Sequence, residues 1–207
     1  GNMMCAFHFN AAVQNHNKSA KAKNAELIAE GKEPTEVVIT PIIGSEFFVC
    51  ENHLDKSKKD NGYQIVVFAK NKNGYHHLAK MASKAYTDGF YYVPRIDKAI
   101  IEEYKEDLIV LSGNLQGEIP NKILNLGEKQ AEEALLWWKE QFGDDFYIEL
   151  MRHGQEDEDR VNLTLLAFAR KHNVKVVATN NTYYINQDDS NAHDILLCVR
   201  DAEKQST

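Results

Sequence analysis

His153 is the side chain in this sequence best suited to acid–base work near neutral pH. It follows the apolar run FYIEL in Glu149-Leu150-Met151-Arg152-His153-Gly154, where it could act as a general acid or contact a phosphate. No carboxylate or nucleophile is spaced beside it, so the sequence predicts that it orders its loop through backbone hydrogen bonds. His193, in Asn191-Ala192-His193-Asp194, reads as structural for the same reason. His76 and His77 are adjacent on a predicted helix and point in different directions, so they do not form a metal pair. Residues 83–97 cluster Tyr86, Phe90, Tyr91, Tyr92 and Arg95. Aromatics interleaved with a base can stack on single-stranded nucleic acid. Few basic groups lie beside them, chiefly Arg95 and Lys98, and packing of the rings over the rim of the fold is the expectation. Arg95 and His153 are therefore carried forward as loop or phosphate contacts. Phosphate-binding loops, nucleophile elbows and zinc-protease motifs are absent from the sequence.

The elements that position these residues come from a chain of 207 residues, 43% of them apolar, enough to bury one core. With 24 basic and 31 acidic side chains the net charge is -7, which opposes a surface devoted to phosphates. Contact with DNA is expected only indirectly. Cys5, Cys50 and Cys198 lie far apart with no Cys-x-x-Cys spacing. They fit neither a disulfide framework nor a zinc ribbon, and a reducing cytoplasm is the expected home. No apolar run approaches the ~18 residues of a membrane span, so no membrane partner is expected.

Apolar periodicity predicts a helix over residues 3–15 and a second helical signal at 25–29 ended by Gly31 and Pro34. Lys18, Lys21 and Lys23 between them read as a solvated face. Residues 37–43 read as a buried strand continued by 44–49, followed by strands at 63–69, 108–111, 146–150 and 174–178. Helices are predicted at 74–87, at 129–142 with Ala131, Ala134, Leu135, Trp138 and Phe142 on one face, and from Asp157 onward. The last of these buries Val161, Leu165, Phe168 and His172. Continuous apolar strands alternating with helices imply a parallel α/β sheet, and the alternation by itself suits a β/α barrel and a doubly wound sheet equally.

Several segments, in order, carry a resemblance to one family. They are Gly1-Asn2-Met3, Gly44-Ser45-Glu46-Phe47-Phe48-Val49, residues 83–97, Leu111-Ser112-Gly113-Asn114-Leu115-Gln116-Gly117-Glu118, the segment at His153, and residues 175–199. Together they resemble the PHP (polymerase and histidinol phosphatase) domain family, in the branch found in bacterial DNA polymerase III alpha subunits. The resemblance implies a distorted, TIM-like parallel β/α barrel, incomplete at its N-terminus because the family's first strands precede Gly-Asn-Met. It implies one domain over residues 1–207 with a helical insertion at 16–36.

In the family, metal ligands sit at the C-terminal ends of the strands, as in other β/α barrels. Glu46 matches the Glu of Gly-x-Glu-Phe-Tyr-Val and is the one such position that still carries a ligand type. Its expected fate is a vestigial ligand or a buried carboxylate paired with a cation such as Arg95. Gln64 stands where metal-binding members place a His, and Asn114 where the family has a Cys or His. Asn181 and Tyr183 replace the Asp and His of Ala-Thr-Asn-Asp-x-His-Tyr. Neutral amides and a phenol are poor substitutes for those ligands. The resemblance thus implies a degenerate site, with no cofactor expected. It implies a structural, partner-binding role in DNA replication, beside the rest of the polymerase subunit and a proofreading exonuclease or other replisome subunit. The polymerase carboxylates of the family lie beyond residue 207. The alternative is an active phosphoesterase or 3'-5' exonuclease using zinc or manganese. A free-standing phosphatase of the histidinol-phosphate type conflicts with the motif around Arg95.

Overall fold

A computed structural model describes residues 3–205; Gly1 and Asn2 of the Gly-Asn-Met motif lie outside the described residues. The chain runs α1 (Ala6–Ala29), β1 (Gly44–Cys50), β2 (Tyr63–Ala69), α2 (Lys72–Thr87), β3 (Arg95–Asp97), α3 (Lys98–Tyr104) and β4 (Leu108–Leu111). It continues through α4 (Glu118–Asn125), α5 (Glu128–Phe142), β5 (Phe146–Leu150), α6 (Glu156–His172), β6 (Lys175–Ala178) and α7 (Ser190–Asp201). The six strands form one sheet in the order β3-β1-β2-β4-β5-β6. Three pairings are parallel (β1/β3, β4/β5, β5/β6) and two, on either side of β2, are antiparallel. The expected barrel-like α/β architecture is present as an open sheet, and among the described residues β3 and β6 are its edges.

The reversal of β2 departs from the all-parallel expectation. A parallel neighbour needs a long crossover, usually helical. Residues 51–62 form no helix and return the chain directly, so Glu46 lies opposite Val66 and Phe48 opposite Gln64. The short strand β3, unforeseen because it carries Arg95 and Asp97, pairs with β1 through Phe48–Arg95 and Cys50–Asp97.

Strand side chains alternate between faces, and only one face is fully covered. Phe47, Val49, Ile65, Val67, Val110, Phe146 and Ile148 meet α2, α4, α5 and α6 in a single core. From α5 the core takes Ala131, Ala134, Leu135, Trp138 and Phe142, the face that periodicity predicted. From α6 it takes Val161, Leu165, Phe168 and Ala169, while His172 is half-buried and bonds Glu132 of α5 instead. Acids fill the first turn of α6 and bases its last, both favourable to the helix dipole. Full burial of a large apolar side chain contributes about 1.5–3 kcal/mol, so this face supplies most of the driving force. No helix of the described residues is long and apolar enough to cross a membrane.

Two N-terminal expectations change. The helix does not end near residue 15. It continues unbroken to Ala29, because residues 16–29 contain neither glycine nor proline and are rich in Ala and Lys, good helix formers. Residues 16–36, expected as a helical insertion, are thus the second half of α1 and its return. Residues 37–43 are not a buried strand; Val37 is 71% exposed. Their extended backbone is held by side chains of α1. Asn24 accepts from Glu36 N–H (2.9 Å) and donates to Glu36 C=O (2.8 Å). Asn17 does the same at Ile39 (2.8 and 2.7 Å). Seven helical residues rise about 10 Å, as do three extended ones, so the two amides fall in register with the segment and stand in for a neighbouring strand. Replacing Asn17 or Asn24 with alanine is expected to cost about 1–2 kcal/mol each. Amide hydrogen exchange should speed up at Ile39 and Glu36 respectively, while exchange in β1 stays unchanged.

Candidate functional site

At the C-terminal ends of β4, β5 and β6, over the half-exposed face of the sheet, lies a cleft of about 360 Å3. Glu46, Gln64, Asn114, Glu149 and the run from Thr179 to Thr182 supply its polar lining. Residues far apart in sequence meet here for a local reason. Ser112, fully buried, accepts Glu149 N–H at 2.9 Å and donates its own N–H to Tyr147 C=O, locking the end of β4 to β5. Gly113 then turns with φ +82°, and a Cβ there would stand 2.6 Å from the carbonyl oxygen of Gln64. Only glycine lets the two strands approach so closely. Asn114 follows, and its amide donates to Gln64 Oε1 at 3.4 Å while its own Oδ1 accepts Gln116 N–H at 2.8 Å. The two amides are thus partly engaged with each other.

Glu149 is the residue that the sequence reading passed over. It is 5% exposed; Oε1 accepts the Thr179 hydroxyl at 2.5 Å, and Oε2 has no hydrogen-bond partner among the described residues. Burial pushes its carboxyl above the usual range and the Glu46 carboxylate adds to this, while Thr179 and the Gly113 N–H pull the other way. The signal was available as the one acid in the apolar strand FYIEL, at the head of the family's Glu-Leu-x-x-His-Gly motif.

Glu46 is exposed at the cleft and is not paired with Arg95. That expectation is overturned because the Arg95 guanidinium is committed elsewhere. Fully buried, it donates to the carbonyls of Gly89 (3.0 Å), Asp60 (2.9 Å), His53 (3.2 Å) and Asp55 (2.9 Å), and stacks 5.4 Å from the Tyr91 ring. Arg95 is a loop contact, leaving none of its charge facing a phosphate. Next to it, Asp97 accepts from the His53 ring (2.5 Å), His53 N–H and Ile100 N–H, which caps α3. Burial opposes ionisation of Asp97, and these bonds outweigh it to hold its carboxyl below the usual range. Of the nearby aromatics, Tyr86, Phe90 and Tyr92 are exposed, and Lys59 sits 5.0 Å over Tyr92.

His153 also departs from expectation, because a carboxylate does stand beside it. Glu158, one turn into α6, meets the ring Nδ1 at 2.7 Å and the backbone N–H at 2.6 Å. Burial pushes Glu158 up, and the bonds from His153 bring its carboxyl below the usual range. With Nδ1–H donated to Glu158, Nε2 accepts Asn181 N–H at 3.4 Å and tethers the segment after β6. Tyr183 does not line the cleft; it is 67% exposed and stacks on His193, with ring centroids 5.3 Å apart. A second cluster also went unread. Buried Glu118 accepts from Trp138 Nε1 (2.8 Å), Lys98 (3.0 Å) and Lys122 (2.8 Å), tying together α3, α4 and α5.

The PHP domain profile matches residues 1–153. This chain belongs to the PHP domain family. It is 40% identical over 179 residues to the DNA polymerase III subunit alpha of Borreliella burgdorferi, covering 84% of this chain and 16% of that protein. The corresponding subunit of Thermus aquaticus is 40% identical over 174 residues (82% and 14%), and that of Treponema pallidum 35% over 211 residues (100% and 16%). The chain therefore spans 14–16% of the length of these relatives. The open β/α sheet agrees with the PHP barrel-like fold.

The cation chemistry of PHP domains can be tested against the donors present. The cleft offers two carboxylates, one of which resists ionisation, and otherwise amides and hydroxyls. Among the described residues no three His, Cys, Asp or Glu side chains come together to hold an ion. This donor set does not fit a tightly held zinc or manganese ion.

Two outcomes follow. Below about pH 4.3 Glu149 is protonated in both the folded and the unfolded chain; above it the unfolded chain ionises first, so stability is lost until pH passes the raised folded value. Glu149→Gln should therefore gain stability over the wild type as pH rises above about 4 in urea titrations. A difference that does not change with pH would mean that Glu149 is ionised normally. Arg95→Lys should cost about 3 kcal/mol, since an ammonium cannot span carbonyls from both the 51–62 loop and Gly89. Denaturant unfolding measures this.

Proposed function

We propose that this chain is the PHP region of a replicative DNA polymerase III alpha subunit, serving there as a structural and partner-binding module rather than a hydrolase. The observation that carries the reading is the cleft itself: Gln64, Asn114 and Asn181 line it where metal-binding members of the family hold ligands, beside Glu46 and a buried Glu149 whose carboxyl is pushed above the usual range. Similarity to polymerase alpha subunits over most of the chain supports the parent assignment. The parent's polymerisation of DNA then belongs to parts of the subunit outside this chain. Within the parent, the first partner is the rest of the subunit; a proofreading exonuclease or another replisome subunit is the second.

A hydrolase of this family would need cations to activate water and to neutralise phosphate charge in the transition state. Amides bring no charge to that task. In their place this chain's residues perform local work: Asn114 and Gln64 bond each other, and His153, oriented by Glu158, holds the backbone at Asn181. The cytoplasm, where replication takes place in bacteria, is the proposed location.

The test is metal content by plasma mass spectrometry of the full-length protein, loaded with zinc and manganese and then desalted. The expected result is less than about one-tenth of an equivalent attributable to this region, unchanged by Glu46→Ala. A tightly held equivalent that disappears in Glu46→Ala would overturn the reading and favour the phosphoesterase or 3'-5' exonuclease alternative.

A further inference from the structure

The aromatic run within residues 83–97 takes no part in the cleft over Glu46. Of its rings, Tyr91 turns inward onto the Arg95 guanidinium, as packing over the rim of the fold requires. The others do not. Tyr86 and Phe90 are about half exposed, their rings stacked with centroids 6.3 Å apart, and Tyr92 is 63% exposed. Tyr92 stands at the tip of a turn closed by the Tyr91 N–H on the Val93 carbonyl (3.1 Å), and its φ is +62°. A bulky side chain in the left-handed region is strained, and a ring this exposed offsets little of that strain by burial. Strain of this kind collects where a protein binds.

Lys59 joins this turn to a groove of about 760 Å3 at the C-terminal ends of β1 and β3, where β/α folds place their chemistry. The groove shares no lining residue with the cleft over Glu46, so its ligand is independent of whether that cleft holds a metal. Lys58, Lys59, Lys98 and Lys122 line it with Glu51, Asp60 and Glu118, a local excess of cations in a chain of net charge -7. Lys58 bonds Glu51 (2.9 Å), and Asp60 accepts the N–H groups of Glu51 and Gly62. Lys98 and Lys122 share the buried Glu118 (3.0 and 2.8 Å), one carboxylate for two ammonium groups. Lys59 has no carboxylate partner among the described residues and lies 5.0 Å over the Tyr92 ring. An ammonium is a point charge suited to phosphate, and an exposed ring beside it offers a π face on which any base can stack. We infer that the turn and the groove bind a nucleoside phosphate, its base against Tyr92, its phosphate at Lys59, and any adjoining phosphates in the groove toward Lys98 and Lys122. It is supplied either by a free nucleotide or by a single-stranded nucleic acid.

Photo-crosslinking of the full-length protein tests this, because the adducts can be mapped residue by residue even if other parts of the protein also bind nucleic acid. The probes are iododeoxyuridine monophosphate and a single strand of about ten nucleotides carrying iodouracil. The expected result is an adduct that mass spectrometry places on Tyr92 or its neighbours Tyr86 and Phe90. Its yield should fall about fivefold in Lys59→Gln and fall further as salt is raised. Lys72→Gln, an exposed lysine outside the groove, should leave it unchanged. Tyr92→Gly, which suits the left-handed backbone, should lose the adduct at residue 92 without a lower unfolding midpoint in denaturant, so that the loss is not misfolding. An adduct with the strand alone identifies single-stranded nucleic acid, and an adduct with the monophosphate as well identifies a free nucleotide. Adducts confined to other parts of the protein, or an adduct at residues 86–92 indifferent to salt and to Lys59→Gln, overturn the inference. Absence of any adduct overturns it too and leaves the exposed rings to a protein partner.

Discussion

Helices cover one face of this sheet and leave the other half open, and the cleft depends on that asymmetry. Because strand side chains alternate, every residue of β1, β2, β4 and β5 belongs either to the helix-packed core or to the half-exposed face. Phe47, Ile65, Val110 and Ile148 take the first; Glu46, Gln64 and Glu149 take the second. A one-residue slip between β1 and β2 would bury Glu46 among the core aliphatics and expose Phe47. The register is therefore held by the whole hydrophobic energy of the core, and the cleft inherits its geometry from packing on the opposite side of the sheet.

Buried charge is handled by enclosure in fixed partners. Arg95 is surrounded by four carbonyl oxygens and a tyrosine ring. Glu118 is held by two lysines and an indole N–H, and Asp97 by a histidine and two backbone amides. Each desolvated charge is offset by several directed bonds, so each ties together elements distant in sequence. Arg95 fastens the 51–62 loop to β3, and Glu118 joins three helices. Glu149 is the exception, a buried acid with an oxygen left over. It is also the one of these groups that lines the cleft at the strand ends, where a β/α fold places its chemistry. The contrast makes it a feature of the site rather than of the scaffold.

The sequence by itself determined the family, the α/β alternation and the buried faces of α5 and α6, because those rest on periodicities of 3.6 and 2 and on motifs whose order is local information. It also determined which residue types stand at Gln64, Asn114, Asn181 and Tyr183, where the family resemblance implies ligands. What only the tertiary structure decided is who meets whom. Arg95 turned inward to carbonyls instead of toward Glu46, since the 51–62 loop, without periodicity, closes over it. Glu158 came to His153 because α6 starts immediately after the turn. Residues 37–43 read as strand from their β-branched run, yet their backbone is satisfied by Asn17 and Asn24 through a match of helix and strand rise that no local pattern reveals. Tyr183 left the cleft to stack on His193, whereas Glu149, which looked like one acid in an apolar strand, became its buried carboxylate, bonded to Thr179 through one oxygen only.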